Sequence, residues 1–443
     1  MTGARESGPG PARAPATILI SVLPGELRAA CLRAGILEDL LILRADRPRL
    51  LGNIYRGRVL ELSPGLDAAF VDIGLPRPGF LPRGEAPGKK QLGRALSNGD
   101  AVTVRVVREI DETKGVRLSA RITHPPAGLD ALAAAAPVPS LLAAGDDPLL
   151  RLIARQSDIE AIVVDDSATS KSLKTKLAGQ DFPEDFPEQG KGDALVVTFD
   201  PALRPLFERE GAEEQIEALL DPRVELPGGG SLLIEPVRTL TAIDVNLGAM
   251  AASGSAQAQA LSVNLEAVPE IARQLRLRSI AGLIAVDFLE LKDRKARDRL
   301  IAELRTALTD DGEPCQIVGM SSSGLLEMTR RRGGPTLAET LSVPAGEHGS
   351  GFRRDAVTLA FEALRRARSE ADAAPGCEIV IKAPRSVLAA LRDGAAAQAR
   401  QTVDGRLGQA LRLELAGDSQ HESLSAKDAE TAGGAVEVLA VRR

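Results

Sequence analysis

The sequence predicts a multidomain α+β protein with a small β-barrel in its first third. Three observations carry this. Between residues 52 and 122 short β-branched stretches are broken by Gly or Pro every few positions, the pattern of a small closed barrel. From 149 to 308 helix and strand periodicities alternate, and two of the apolar strands carry an Asp within them. After a Pro/Gly break at 333–351, residues 352–443 show their own helix and strand spacing, enough for a small α+β module.

Composition sets the outer limits. A chain of 443 residues has room for roughly two to four domains with sizeable cores. Nine Phe, one Tyr and no Trp leave the cores to aliphatic residues, so any surface aromatic stands out. A net charge of −6 excludes a uniformly basic coat but not a local basic channel, because phosphate affinity follows patches. Cys31, Cys315 and Cys377 form no CxxC pair, which excludes a four-thiolate zinc site within the chain and gives no disulfide framework. A reducing cytoplasm fits. Residues 1–16 read as a disordered Pro/Gly/Ala-rich tail. The apolar run Ile18–Leu23 is too short for a signal segment or membrane span, so no membrane partner is expected.

Along the chain, Ile18–Leu23 and Gly35–Leu43 are expected to pair across a polar turn. In the barrel segment Val102, Val104 and Val106 alternate with Thr103 and Arg105, the period of a half-buried strand. Residues 125–147 read as a linker or poorly ordered insert. A helix-then-strand unit fills 149–166, an acidic Pro-rich loop 181–190, and helix 205–220. A Gly-rich turn is expected at Gly228–Gly230 ahead of the strands SLLIE and TLTAIDVN, and a loop over 249–260. Asn264 is expected to cap a helix with Leu265, Val268, Ala272 and Leu275 on one face and Arg273 and Arg276 elsewhere. LIAVDFLEL (283–291) reads as a buried strand and 292–308 as a charged helix. In the last module a helix carries Val357, Ala360, Phe361 and Leu364, strands fall at 378–383, 411–415 and 435–441, and a helix lies near 386–393.

The chemistry centres on Asp244 in TAIDVN and Asp287 in LIAVDFLEL. Carboxylates are seldom buried unless paired or bound to metal. Two strands delivering one Asp each to the same end of a sheet would hold a divalent ion. Two carboxylates plus water suit magnesium, which favours phosphate oxygens as further ligands and neutralises charge on a scissile phosphate. Asn246, two residues beyond Asp244, points to the same strand face and would orient substrate or a metal-held water. The alternative is that each Asp caps a helix or closes a turn. Pattern alone leaves both open.

The blocks TAIDVNLG, NLEAVPEIARQLRLRSIAGLIAVDFLELKD and GLLEMTRRR, preceded by GNIYRGRVLELSPGLDAAFVDIG and GFLP, resemble the ribonuclease E/G family. The resemblance spans about 17–123 and 149–340, and more weakly the terminal module. It implies an OB-fold (S1-like) barrel at 52–122 inserted in an RNase H-like subdomain (17–51 and 191–230). A reduced sensor-like region (123–190), a DNase I-like α/β catalytic subdomain (231–340) and a small C-terminal domain (352–443) complete the expected order. It implies that Asp244 and Asp287 bind Mg2+ with Asn246 beside them, for endonucleolytic cuts in single-stranded, often AU-rich RNA that leave a 5′-phosphate and a 3′-hydroxyl.

On the barrel, 52–121 holds twelve Lys or Arg against eight Asp or Glu, a local +4 whose sign suits an RNA strand. The resemblance makes Phe70 and Phe80 base-stacking residues and sets Lys114 on the same surface. From the residues alone Phe70, in an apolar run, reads as barrel core, and Phe80, between Gly and Leu after a Pro, as surface. Arg273, Arg276 and Arg278 form a second basic group and Arg330, Arg331 and Arg332 a third; neighbouring the acids in sequence, they are expected to grip phosphates. A solvated charged face is the plainer reading of both.

Three departures from the family narrow the expectation. No Arg-Thr pair for a 5′-monophosphate appears in 123–148, so end-sensing is not expected. ETLSVPAGEHGSG stands where a zinc-linking CPxC would be, leaving a homodimer through the C-terminal module without a zinc link. Ser323 replaces an aromatic before GLLEMTR. The leading expectation is a cytoplasmic, magnesium-dependent endoribonuclease in rRNA or mRNA maturation. The other is an RNA-binding protein of the same fold that cuts weakly or not at all.

Overall fold

The structure is a computed structural model that describes residues 14–88, 92–109, 115–178, 195–237, 239–248, 255–344, 352–416 and 436–442. The tail, the 181–190 loop and Lys114 lie outside these, apart from residues 14–16 of the tail. The chain divides into two compact units: Met1–Asp46 with Pro148–Asp221 and Leu341–Arg443, and Arg47–Asp147 with Pro222–Thr340.

The first unit begins with β1 (Ala16–Leu23), β2 (Glu26–Arg33) and β3 (Ile36–Arg44). These form an antiparallel meander in which β2 lies between β1 and β3, so the expected pairing of the outer two is replaced by a third strand. Charge in ELRAACLR masked it. Glu26 and Arg28 are buried because their partners come from far along the chain: Arg365 for Glu26, and Glu213 for Arg28.

The chain then enters the second unit and builds β4 (Ile54–Ser63), β5 (Ala68–Asp72), β6 (Gly79–Pro82), the single-turn α1 (Leu92–Ala95), β7 (Ala101–Arg108) and β8 (Arg117–Ser119). The strand order β5-β6-β8-β7-β4, with β4 also pairing β5, closes a five-stranded barrel. Val59, Val71, Leu81, Val104, Val106 and Leu118 fill it. At Gly57 an added Cβ would sit 2.5 Å from the Val71 side chain and 2.8 Å from the Asp72 carbonyl, so only glycine lets these strands close. Residues 125–147 are not a formless linker. They form α2 (Leu129–Ala135) and β9 (Ser140–Ala143), which adds to β4 beyond the barrel.

Returning to the first unit, α3 (Pro148–Ala154) leads into β10 (Ile159–Val164), α4 (Ser167–Ala178) and β11 (Val197–Phe199). β10 runs parallel to β1 and β11 parallel to β10, so the sheet order is β11-β10-β1-β2-β3. Two short helices follow, α5 (Leu206–Arg209) and α6 (Ala212–Ala218).

The second unit resumes with β12 (Arg223–Glu225), β13 (Ser231–Pro236) and β14 (Thr241–Asn246), then α7 (Ala256–Leu277), β15 (Gly282–Asp287), α8 (Arg294–Ala307), β16 (Cys315–Met320), β17 (Leu326–Arg330) and α9 (Leu337–Leu341). The sheet order is β12-β13-β14-β15-β17-β16, with only β14 and β15 parallel to each other. Ile243, Val245, Ile284, Val286, Leu326 and Met328 face one side, packed on Val263, Ala267, Ile271 and Leu275 of α7 and Leu300 and Leu304 of α8. Burying side chains of this size contributes about 1.5–3 kcal/mol each, before conformational entropy is subtracted. Helix α7 starts at a Ser255 cap, so Asn264 is no cap: it lies mid-helix, fully buried.

The chain ends in the first unit with β18 (Ser342–Pro344), β19 (Phe352–Arg354), α10 (Ala356–Ala373), β20 (Glu378–Ala383), α11 (Arg385–Arg392), α12 (Ala397–Leu407), β21 (Arg412–Leu415) and β22 (Glu437–Val441). The expected separately folding module is corrected here. Its core takes in Leu23 from the end of β1, and Gly25 has room for no Cβ beside the Ala395 carbonyl and the Phe361 ring.

Ion pairs weld the same contact. Burial pushes the Glu213 carboxyl up, but the guanidiniums of Arg28 and Arg365 outweigh it and hold it below the usual value. A carboxyl lowered on folding contributes stability that is present above its unfolded value and lost as pH falls through the folded one. The unit is therefore expected to lose stability below about pH 4. Denaturant midpoints from pH 7 to pH 3 read this, and Glu213→Gln should flatten the acid limb.

Candidate active site

Asp244 and Asp287 are register partners at the C-terminal ends of the two parallel strands. Side chains alternate across a sheet, so both acids leave the face opposite α7 and α8, on neighbouring strands about 4.8 Å apart. Ala242 and Ala285 precede them on that face as partners. Asp244 is half-buried and Asp287 exposed. Asn246 Nδ2 donates to Asp244 Oδ2 at 2.9 Å, so Asn246 orients the first acid directly. No hydrogen bond or ion pair reaches the Asp287 carboxylate among the described residues. The alternative role as helix caps does not match: the caps of α7 and α8 are Ser255 and Asp293.

Several segments meet at this end of the sheet. The β13–β14 strand ends bring Gly230 against the Asn246 carbonyl, where an added Cβ would come within 2.8 Å. Gly248 has φ +64°, and an added Cβ there would lie on the Gly229 carbonyl, so the exit from Asn246 accepts only glycine. The β16–β17 turn lies at the same end, because Val286 pairs with Leu326. In it Ser321 Oγ and Ser323 Oγ stand 2.9 Å apart, and the Leu325 N–H donates to Ser321 Oγ. Ser323, at the position of the missing aromatic, thus braces a turn.

The two Arg groups do not join the acids. In a β–α–β crossover the helix runs back, so the C-terminal turn of α7 sits at the start of β15. Arg273 pairs there with Glu270, and Arg276 Nη1 donates to the Ala272 carbonyl at 3.4 Å. Arg278 is buried and donates to Gln274. Arg330 partners Gly282, about 16 Å from Asp287 at ~3.3 Å per residue. Its guanidinium is buried, holds Asp311 through two bonds of 2.9 and 2.8 Å, and donates to the Ile280 carbonyl. Closeness in sequence is thus not closeness in space, and the expected phosphate grip of Arg273, Arg276 and Arg330 at the acids is corrected. The cations topology does bring to the acid end are Lys292, Arg294 and Lys295, all exposed, in the segment that leads from Asp287 into α8. They stand at the start of the charged run 292–308, most of which is α8.

On the barrel, Phe70 and Phe80 are cross-strand partners on β5 and β6, half-buried, with ring centroids 5.9 Å apart at 65°. Neither belongs to the barrel core, so Phe70 is a surface aromatic after all. The row continues through pairs Phe80–Arg117 and Arg117–Arg108, which places two exposed guanidiniums beside the rings. Sequence reasoning missed Arg108 and Arg117; their membership of the row appears only once the register is known.

A sequence profile of the Ribonuclease E/G family matches residues 126–333, and one of the S1 RNA binding domain matches 51–121. Ribonuclease G of Escherichia coli (strain K12) is 28% identical over 424 residues, covering 79% of this chain and 87% of the relative. Ribonuclease E of the same organism is 30% identical, covering 78% of this chain and 40% of the relative. Ribonuclease E of a Nostoc species is 32% identical, covering 65% and 52%. The chain belongs to the ribonuclease E/G family. Within that family assignment the five-stranded barrel is its S1 domain, and the sheet bearing Asp244 and Asp287 lies in the catalytic region that follows.

The donor set at the acids fits a hard divalent cation. Two carboxylates share one face, and no cluster of three or more His, Cys, Asp or Glu able to hold a metal occurs among the described residues. Such a pair suits an ion that keeps much of its water.

Proposed function

We propose that this chain is a magnesium-dependent endoribonuclease that cuts single-stranded RNA in rRNA or mRNA maturation in the cytoplasm, with Asp244 and Asp287 holding the ion. Membership of the ribonuclease E/G family together with an S1 barrel makes it an RNA-binding endoribonuclease. The register pairing of the two acids on the open sheet face is the observation that carries the site. No helix among the described residues is long and apolar enough to cross a membrane.

When bound, a divalent ion supplies a Lewis acid that neutralises charge building on the scissile phosphate. The protein's own groups do the rest. Asn246 ties down Oδ2 of Asp244 and leaves Oδ1 without a hydrogen bond among the described residues, so Oδ1 would be the atom to hold a cation. Lys292, Arg294 and Lys295 hold the RNA backbone beside the acids. The Phe70–Phe80 pair stacks unpaired bases, with Arg108, Arg117 and Lys114 on the flanking phosphates. A duplex keeps its bases stacked on each other, so this platform selects single strands. His124, the one histidine among the described residues, stands in the chain between β8 and β9. Two chains associate through the C-terminal module without a zinc link, which sedimentation of the full chain reads.

The test is cleavage of a 5′-labelled AU-rich oligonucleotide with magnesium and with EDTA. Cutting only with magnesium supports the enzyme; tight binding without cutting promotes a binding protein of the same fold. Two further outcomes are expected. Phe70→Ala and Phe80→Ala should each weaken binding of the uncleaved oligonucleotide by about 1–3 kcal/mol, with the thermal midpoint little changed. Lys292→Ala should lower the slope of log affinity against log salt by about 0.7, the share of one single-strand phosphate contact, read by fluorescence anisotropy.

A further inference from the structure

Strand β15 ends at Asp287, and the five residues after it have no strand beside them among the described residues. Two carboxamides from α7 take the place of one. Asn264 Nδ2 donates to the Leu289 carbonyl at 2.8 Å, and the Leu289 N–H donates to Asn264 Oδ1 at 3.0 Å. Gln257 Nε2 donates to the Glu290 carbonyl at 3.2 Å, and the Lys292 N–H donates to Gln257 Oε1 at 2.8 Å. Each amide thus pairs with the backbone as a neighbouring peptide would. Asn264 is fully buried, where a lone amide would be costly unless both ends were satisfied.

We infer that Asn264 and Gln257 are positioning residues for Asp287. The inference rests on the reading of Asp244 and Asp287 as the metal pair. Asp244 is steadied by a side chain, Asn246; Asp287 has none among the described residues and depends on its backbone. A site of this kind works only when its ligands hold within about 0.5 Å of the productive geometry. Pinning Leu289 to Lys292 onto α7 fixes the exit of β15 and so the carboxylate at its end. The same pins set Lys292, the nearest of the proposed backbone cations in the chain, one helical entry from Asp287.

The test compares the parent with Gln257→Ala, Gln257→Glu and Asn264→Ala, with Asp287→Asn alongside. Gln257 is exposed, so its variants will fold even where Asn264→Ala does not. Metal-free hydrogen exchange at the Leu289 and Lys292 amides is the first readout. The second is the magnesium concentration that gives half the magnesium-induced rise in melting temperature, and half-maximal cleavage. Gln257→Ala should expose the Lys292 amide and raise the half-saturating magnesium about tenfold, the usual size of effect for a residue behind a metal ligand. Gln257→Glu keeps the acceptor for Lys292 but loses the bond to the Glu290 carbonyl. It should protect the Lys292 amide as the parent does and raise the magnesium requirement less than Gln257→Ala. RNA affinity in EDTA should fall by less than twofold in the Gln257 variants. Faster amide exchange with an unchanged magnesium requirement, while Asp287→Asn is inactive, would overturn the positioning role alone. An Asp287→Asn protein that cuts like the parent would overturn the metal-pair reading and this inference with it.

Discussion

Asp287→Asn and Asp244→Asn are each expected to lower cleavage of a labelled single-stranded oligonucleotide by about a thousandfold, which is ~4 kcal/mol of transition-state stabilisation. Binding of the same oligonucleotide in EDTA should change little. The size follows from the site's composition. Two carboxylates face outward as register partners, with no third acid, His or Cys completing a metal cluster among the described residues. Removing one charge halves the anionic donor set, and a bound cation is worth several kcal/mol at a developing phosphate charge. The two variants should differ in one respect. Asp244→Asn meets Asn246, whose amide donates to it, and must settle a second amide in that bond. Asp287→Asn meets no such partner among the described residues, so its thermal midpoint should equal the parent's. Equal cleavage by either variant and the parent would remove the acids from the chemistry.

Arg368→Ala is expected to destabilise the unit containing the C-terminal module by about 3–5 kcal/mol, read as a shift in the urea midpoint. Arg368 and Asp165 are both buried, 3.4 Å apart, at the end of β10 beside β1. The Asp165 carboxylate also accepts from Ser21 Oγ at 2.9 Å and from the Val22 N–H at 2.8 Å. The guanidinium donates further to the Ala202 and Leu203 carbonyls, and Arg406 reaches the Asp165 carbonyl. Truncation leaves a buried carboxylate without its counter-charge and two carbonyls without a donor. Arg368→Met keeps much of the volume, and paired with Asp165→Asn it should recover part of the loss, since removing both charges spares their desolvation. A loss below 1 kcal/mol for Arg368→Ala would show that the module does not depend on this contact.

Local patterns carried much of the architecture. The alternation of Val102, Val104 and Val106 reports a strand whose inner residues fill the barrel, and it does so without any partner strand. The apolar run around Asp287 is legible in the same way, as is the helix spacing through Phe361 and Leu364. Illegible were the elements whose stability comes from elsewhere. Strand β2 is charged because its charges are matched by Glu213 and Arg365. Strand β9 has a weak pattern because β4 supplies its ladder. Asn264 resembled a cap because a helix-interior Asn is unfavourable until a remote backbone, here that of Leu289, satisfies it.

For the candidate site the division is similar. The sequence by itself determined which residue types stand there: two lone acids on apolar strands, an Asn beside the first, two rare aromatics on the barrel, and basic runs. These are local properties, set by composition and by the period of each strand. Only the tertiary structure decided which of them meet. It set Asp244 opposite Asp287 through parallel register, aligned Phe70 with Phe80 and Arg117, and sent Arg273, Arg276 and Arg330 to the far end of the sheet. The reason is geometric. A crossover helix returns the chain to the start of the sheet, so residues just ahead of the second acid's strand are carried away from the acid, and only strand register says which side chains become neighbours.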